Sequence, residues 1–194
     1  RIKNRIFFDL KHKELRDFLL KHKVIDKYGY ELADRLGSQK IVLDAENLQL
    51  YFLKEGSLDG IKREVQIYTQ LKKAGVPVPE IVYFYREGFT GYIITLFLKG
   101  FKDIGYAWVE CNESEKKEIA FLLGKILARI HGQGILVDPQ YSNFLVRNYF
   151  GHITIVALDF EYPFRISFDD IINNRDRVAA LVHGYREDFN KGYK

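Results

Sequence analysis

The sequence predicts an α+β protein in two lobes, the first rich in strands and the second largely helical. In the first half, β-rich apolar runs are separated by turn residues and interrupted by a single helical pattern. In the second half, helical patterns dominate and enclose one small hairpin. We therefore assign residues 1–98 to an N-terminal lobe with an antiparallel sheet and one helix, 99–105 to a hinge and 106–194 to a C-terminal lobe.

The first half is predicted to contain two antiparallel strand pairs on either side of one helix. Gly75 is expected to close that helix, and Pro77 and Pro79 indicate an extended linker after it. The predicted elements are a short amphipathic helix over 13–22, a hairpin over 40–54 with its turn at 44–47, a helix over 58–74, and strands over 81–85 and 91–98.

The second half contains the clearest helical signal in the chain. Asn112 is a good N-cap, Glu115 completes a capping-box pattern, and an apolar stripe runs from Ile119 to Ile130. Gly132 and Gly134 are expected to end this helix, with His131 packing or capping at its end. Strands over 144–146 and 153–158 with a turn at 148–151 follow, and a last helix is predicted over about 175–189.

Composition excludes several classes of protein. The chain has 194 residues, a formal net charge of +4 and one cysteine, Cys111, so no internal disulfide framework is expected, and a reducing compartment fits. Histidine and cysteine spacing does not suggest zinc, and no apolar run is long enough to span a bilayer.

The basic residues near the start of the chain are best interpreted as a solvated helix face, although weak binding to an anionic surface is an alternative. Nucleic acid is not favoured as a partner because no aromatic and arginine motif accompanies these charges.

Three polar residues, Asp138, Asn143 and Asp159, each adjoin an apolar strand-like run. If the runs over 144–146 and 153–158 pair antiparallel, Asn143 and Asp159 meet at the open end of the hairpin. The strand before Pro139 brings Asp138 to the same region. Such oxygen ligands suit a hard cation such as Mg²⁺. Ordinary turn chemistry explains any one of the three residues, but the set together favours a functional site.

A charged pair is predicted in the first half. Glu64 lies within the apolar stripe of its helix, between Ile61 and Tyr68, and an inward carboxylate needs a partner. Lys54, near the end of the preceding strand, is the candidate. The alternative is a surface glutamate beside a lysine whose charge reaches water.

In order and spacing these residues resemble those of the protein-kinase-like superfamily. Asp138 and Asn143 have the spacing of the kinase catalytic loop, Asp159-Phe160-Glu161 resembles the metal-binding Asp-Phe-Gly, and Lys54 and Glu64 resemble the strand lysine and helix glutamate. The resemblance covers most of the chain, from about residue 35. Among small atypical kinases the chain is most similar to the bacterial lipopolysaccharide core sugar kinases that act on Kdo and heptose. The stretches that suggest this are Glu64 to Tyr83 with its linker at 74–79, Leu127 to Ile135, Tyr141 to Val146, and the short tail after Asp159.

The resemblance implies a two-lobed kinase fold, ATP and Mg²⁺ as cofactors, and a site assembled from both lobes. Asp138 would accept the acceptor's proton, Asn143 and Asp159 would bind Mg²⁺, and Lys54, oriented by Glu64, would contact the phosphates. Gly37 would lie in the phosphate-covering segment, and adenine would bond to backbone near Leu96 and Leu98. The acceptor would be a hydroxyl of a lipopolysaccharide sugar, a related glycan or glycolipid, or a protein. The location would be the cytoplasm, with peripheral contact at the inner membrane face.

The chain also departs from the kinase pattern. It lacks a Gly-x-Gly-x-x-Gly motif, Leu136-Val137 stand in place of the histidine and arginine, Gln140 replaces a common lysine, and Glu161 replaces the glycine. These changes argue against an ordinary protein kinase. They leave two alternatives: a degenerate kinase fold that serves as a nucleotide-binding or interaction scaffold, and a metal-dependent hydrolase. The chain keeps the whole set of Lys54, Glu64, Asp138, Asn143 and Asp159, whereas degenerate kinases usually lose at least one member. A hydrolase would leave Lys54 and Glu64 without an obvious role.

Overall fold

The computed structural model describes residues 9–10, 23–25, 39–44, 49–161 and 166–194. Over these residues the protein is α+β, as the sequence predicts, with helices and small, mainly antiparallel sheets. The helix predicted over 13–22 and the candidate residue Gly37 lie outside the described residues.

The larger sheet contains six described strands in the spatial order β1-β5-β6-β4-β3-β2. Its strands are β1 (Asp9–Leu10), β2 (Lys23–Ile25), β3 (Gln39–Asp44), β4 (Gln49–Ser57), β5 (Ile81–Glu87) and β6 (Thr90–Leu96). Both predicted strand pairs are confirmed, and only β1 departs from the antiparallel pattern, because it runs parallel to β5. Tyr51, Leu53, Val82 and Ile94 form a buried cluster on this sheet.

Helix α1 (Leu58–Lys73) begins directly after β4 and ends two residues before Gly75, whose φ of 73° requires the left-handed region that glycine adopts at low cost. Ile61, Val65, Tyr68 and Leu71 are buried, which confirms the predicted apolar face. The helix starts close to the sheet because Gly91 lacks a side chain. A Cβ built there would lie 2.8 Å from the Cβ of Ile61.

The second half consists of four helices around short strands, among the residues described. The helices are α2 (Ile104–Glu110), α3 (Glu113–Gly132), α4 (Phe168–Ala179) and α5 (Arg186–Tyr193). The strands are β7 (Lys102–Asp103), β8 (Leu136–Val137), β9 (Phe144–Tyr149), β10 (His152–Ala157) and β11 (Phe160–Glu161). They form a three-stranded sheet in the order β10-β9-β7 and a separate pair of β11 with β8.

The structure confirms two local predictions here and corrects one. Asn112 and Glu115 form the expected capping box on α3, and β9 pairs with β10 in the expected hairpin, with Phe144 opposite Ala157. The single last helix predicted over 175–189 is wrong. The chain forms α4 and α5 instead, separated by a turn in which Gly184 has a φ of 78°.

The chain divides into two compact units, one of 1–66 with 79–99 and one of 67–78 with 100–194. The predicted lobes differ from these units in the placement of 67–78 and of the predicted hinge over 99–105, of which all but residue 99 belongs to the second unit. Hydrogen bonds explain the first difference: Arg129 donates to the carbonyl of Gly75 at 2.8 Å, and the Ala157 N–H donates to that of Pro77 at 3.2 Å. The second arises because β7 pairs with β9 and Asp103 caps α2, so much of the predicted hinge is ordered structure.

Among the described residues, no helix is both long and apolar enough to cross a bilayer.

Candidate functional site

Asp138 and Asp159 are neighbours in the second unit because a short strand pair precedes one and follows the other. Val137 of β8 lies opposite Phe160 of β11, and the Asp138 N–H donates to the carbonyl oxygen of Asp159 at 3.3 Å. The two aspartates stand 21 positions apart in the sequence, and this pairing places their backbones side by side. The convergence that the strand pattern predicts is therefore present.

Asn143 joins the same group through three hydrogen bonds. Its N–H donates to the Gln140 carbonyl at 3.1 Å, its carbonyl accepts from the Leu158 N–H at 2.8 Å, and its side-chain Nδ2 donates to the Asp138 carbonyl at 3.0 Å. The first bond closes a turn of 3₁₀ helix over Tyr141–Asn143, and the second holds the open end of the hairpin. These bonds hold Asn143 against Leu158, which precedes Asp159, and against Asp138.

The side-chain oxygen of Asn143 has the character of a cation ligand. The residue is only 5% exposed, and within the described part of the chain nothing donates a hydrogen bond to Oδ1. A buried acceptor without a donor costs about 1–3 kcal/mol, which a bound cation would offset. No group of three or more His, Cys, Asp or Glu side chains suited to a metal occurs among the described residues. Such a site would take its remaining ligands from water and phosphate oxygens, as Mg²⁺ sites commonly do.

Asp159 has an unusual backbone conformation. Its φ is 48°, in the left-handed region, where L-residues other than glycine are uncommon and aspartate and asparagine are the best tolerated. The residue is exposed and lies between β10 and β11. Strained backbone of this kind concentrates at functional sites, so the conformation adds an independent reason to place Asp159 in one.

The carboxylate of Asp138 is held by Gln140. The Nε2 of Gln140 donates to Oδ2 of Asp138 at 2.6 Å, and the Gln140 N–H donates to the Asp138 carbonyl at 2.8 Å. The sequence marks Gln140 only as a departure from the kinase pattern. This contact orients the Asp138 carboxylate through one oxygen, Oδ2. Gln140 makes no contact with the other oxygen, Oδ1.

Lys54 and Glu64 form the predicted ion pair within the first unit. Lys54 Nζ lies 2.9 Å from Glu64 Oε2, and the two side chains are 25% and 17% exposed. Lys54 is in the middle of the sheet, between Gln39 of β3 and Ile93 of β6, and Glu64 is on α1. Partial burial makes an unpaired charge costly here, so each side chain restricts the other.

The residues predicted to contact adenine are at the end of β6 and just beyond it. The Leu96 N–H already donates to the Glu80 carbonyl at 2.9 Å, and the Phe97 carbonyl accepts from the Lys99 N–H at 3.0 Å. Leu98 lies in the loop between them. Any base bound to this segment would have to use backbone groups other than the Leu96 N–H.

A buried polar chain supports the Asp138 loop, and the sequence analysis missed most of it. Asn174 of α4 donates from Nδ2 to the Val137 carbonyl at 2.7 Å and accepts at Oδ1 from Nε2 of His131 at 2.9 Å. Nδ1 of His131 then accepts from the Tyr193 hydroxyl at 2.6 Å. His131 packs at the end of α3 as expected, but its partners are distant in sequence and carry no local signal.

Burial is the largest influence on His131 and lowers its pKa. The hydrogen bond with Asn174 raises the pKa by less, and the positive charge of Arg175 lowers it by less again. The neutral imidazole satisfies both neighbours with one donor and one acceptor. The polar chain therefore holds the residue before Asp138 in place with a neutral histidine.

No protein-family model matches the chain, and no curated protein matches it at a significant level. The inference of function therefore depends on the residues of the chain and their geometry.

Proposed function

We propose that this chain is a kinase-like phosphotransferase that moves the γ-phosphoryl group of ATP to a hydroxyl acceptor. The observation that carries the proposal is the convergence of Asp138, Asn143 and Asp159 through backbone hydrogen bonds. Three residues of the types that phosphoryl transfer uses, in the order that kinases use them, meet at one end of a hairpin. In this proposal the two units are the two lobes of a kinase-like fold.

Asp138 is the proposed proton acceptor. As the acceptor hydroxyl forms its bond to the γ-phosphorus, the bond from that phosphorus to the bridging β–γ oxygen breaks and ADP leaves. The proton of the hydroxyl passes to the Asp138 carboxylate and then to solvent. The hydrogen bond from Gln140 to Oδ2 favours this role because it sets the direction of the other oxygen.

Asn143 and Asp159 would hold Mg²⁺, the first through its unpartnered side-chain oxygen and the second through its carboxylate. When bound, the ion neutralises charge on the phosphate oxygens. The protein's own part is to position the two residues before an ion binds, since hydrogen bonds fix Asn143 and the strand pair fixes the backbone of Asp159.

Lys54 supplies the proposed contact to the phosphates from the first unit. An exposed lysine samples many rotamers, whereas the pairing with Glu64 restricts this one before a ligand binds.

The backbone around Leu96 and Leu98 is proposed to contact the adenine base, and Gly37 is proposed to lie near the phosphates. The acceptor is proposed to be a sugar hydroxyl of lipopolysaccharide or a related glycan, a choice that rests on the resemblance to core sugar kinases.

Turnover is tested by incubating the protein with ATP and Mg²⁺ and measuring ADP release and phosphate transfer to a glycan extract. Asp138→Asn keeps the shape of the side chain and removes the base, so we expect a loss of at least a hundred-fold. Asp169→Asn is the matched control, since it makes the same chemical change at an exposed aspartate on α4. Equal rates for the parent and Asp138→Asn would eliminate the catalytic role.

Nucleotide binding is tested by the shift of the melting temperature with ATP, with and without Mg²⁺. Asp159→Asn keeps a residue type that tolerates positive φ. We expect the magnesium-dependent part of the shift, measured from the variant's own unliganded melting temperature, to disappear. A magnesium-dependent shift that survives in Asp159→Asn would refute the assignment of this ligand. A parent that binds ATP without turnover would instead be the nucleotide-binding scaffold.

A further inference from the structure

A groove lies beside the loop that joins Asp138 to Asn143, within the second unit. Its volume is about 730 Å³, within the range of small-molecule sites. Asp103, the N-cap of α2, forms one wall with Tyr106 and Val109 of that helix, and residues 139–142 form the other. A groove of this volume has room for one or two sugar rings.

Gln140 connects this groove to the proposed base. It lines the groove, and its Nε2 donates to Oδ2 of Asp138 at 2.6 Å. A molecule bound against Gln140 is therefore one side chain away from the carboxylate. This position is the one that a phosphoryl acceptor needs, because its hydroxyl must reach Asp138 while the rest of the molecule is held elsewhere.

Tyr141 presents an aromatic surface that the structure holds in place. The ring is 40% exposed, and its hydroxyl is 2.7 Å from Nε2 of His183. On its other side the ring packs against Gly105 of α2, where an added Cβ would lie 3.3 Å from Cδ1 of Tyr141. Tyr106, which is 73% exposed, adds a second ring to the groove. Two tyrosines that remain open to solvent beside a fixed polar loop form a surface on which the apolar face of a sugar ring can stack.

The groove is unfavourable for an anionic ligand, because its lining includes one carboxylate and no basic side chain among the described residues. Gln140 and Ser142 are neutral, and the one carboxylate, Asp103, already accepts a hydrogen bond from the Tyr106 N–H at 3.0 Å. Among the described residues that line the groove, none is lysine or arginine. A phosphate or sugar carboxylate bound here would meet a negative charge and no cation, whereas uncharged hydroxyl groups would find amide and hydroxyl partners.

We propose that this groove binds an uncharged, hydroxyl-rich sugar unit of a glycan and presents one of its hydroxyls to Asp138. The transfer step rests on the proposed phosphotransferase function, but binding to the groove does not. The proposal narrows the acceptor: of the two core sugars that the resemblance suggests, it favours the neutral heptose over the acidic Kdo, and it excludes anionic lipid headgroups from the position next to the base.

The test measures binding without ATP. Ligand-detected NMR is run with a panel of neutral oligosaccharides that differ in ring stereochemistry, and with the matching uronic acid oligosaccharides. We expect at least one neutral member to bind and its acidic counterpart to bind at least ten-fold more weakly. Tyr141→Ala should raise the dissociation constant about ten-fold through loss of the stacking ring. Tyr141→Phe, which keeps the ring and loses only the bond to His183, should raise it a few-fold.

Tyr149→Ala is the matched control, because Tyr149 is a 64% exposed tyrosine at the end of β9 and does not line the groove. It should bind with the parent's affinity. Failure of every neutral oligosaccharide to bind, equal binding of the acidic members, or unchanged affinity in both Tyr141 variants would overturn the proposal. If the parent binds ATP and turns it over but binds no sugar, the groove assignment fails alone. If sugar binds in a Tyr141-dependent way without turnover, the phosphotransferase function fails alone.

Discussion

Glu64 is a charged residue at an apolar position of its helix, and that position alone predicts an ion-pair partner. A carboxylate within an apolar helical stripe requires a partner, and the nearest basic residue at the end of an apolar strand is Lys54. The ion pair at 2.9 Å bears out that reasoning. The same reasoning could not identify Asn174, because an asparagine on a helix of mixed character has no distinctive pattern. Its role depends on two residues, His131 and Val137, that lie about forty positions away.

The pair provides the first prediction. Glu64→Gln removes the charge that orients Lys54, and we expect ATP affinity to fall about five-fold, since a partly buried ion pair contributes about 1 kcal/mol. Isothermal titration with ATP and Mg²⁺ measures the change. Glu110→Gln is the control, because it breaks the exposed pair with Lys102 and should leave affinity unaltered. Unchanged affinity in Glu64→Gln would mean that Lys54 does not depend on its partner to bind phosphate.

Secondary-structure elements were predictable where the signal was local. The capping box at Asn112, the end of α1 near Gly75 and the hairpin turn near Gly151 all follow from short patterns around single residues. The single last helix was wrong because a helical apolar pattern continues past Gly184, while the chain turns there with a positive φ. Periodicity alone does not reveal such a break, since glycine is tolerated within helices as well as after them.

The contact between α3 and α5 depends on two glycines. A Cβ built on Gly124 would overlap the carbonyl oxygen of Phe189, and one built on Gly192 would overlap that of Phe121. In both cases the obstructing atom is backbone, which cannot move aside like a side chain. The helices therefore approach closely because each contributes a glycine at the contact, and Phe189 is fully buried beside it.

The second prediction follows from this packing. Gly124→Ala should lower the free energy of unfolding by about 3 kcal/mol, because the two helices must separate to admit the methyl group. Urea denaturation measures the loss. Gly132→Ala, in the last turn of the same helix, meets no atom within 4 Å and should be neutral or stabilising by up to about 1 kcal/mol. Equal stability of the two variants would show that the helices do not lie this close in solution.

At the scale of the whole molecule, the proposed catalytic residues are divided between the two units. Lys54 and Glu64 belong to the first, whereas Asp138, Asn143 and Asp159 belong to the second. The second group was predictable because one hairpin and one short strand account for all three positions. The groove beside it was not, because it combines α2 with a loop more than thirty positions later and includes Tyr141, which His183 holds from another segment. A groove formed by segments that are distant in the sequence cannot be predicted from local patterns and becomes visible only in the folded chain.

The last prediction concerns the polar chain that ties β8, α3, α4 and α5 together through His131. In the unfolded chain this histidine takes up a proton near its ordinary pKa of 6.5, whereas burial lowers the pKa in the folded protein. The unfolded state therefore binds more protons below about pH 6.5, so this contribution to stability is complete above that pH and is lost as the pH falls. The positive charge of Arg175 opposes an imidazolium, and the Tyr193 hydroxyl that donates to Nδ1 favours the neutral ring.

His131→Gln keeps a donor for Asn174 and removes the titrating group, so it should be less stable than the parent at pH 8 and closer to it at pH 5. His152→Gln, at an exposed histidine on β10, should follow the pH dependence of the parent. Urea denaturation of the three proteins from pH 8 to pH 5 measures the difference. If the parent and His131→Gln lose stability in parallel, the buried histidine does not titrate with unfolding. If instead the parent alone loses the added stability in acid, the Asp138 loop depends on a support that requires a neutral imidazole, because Asn174 bonds both to His131 and to the carbonyl of Val137.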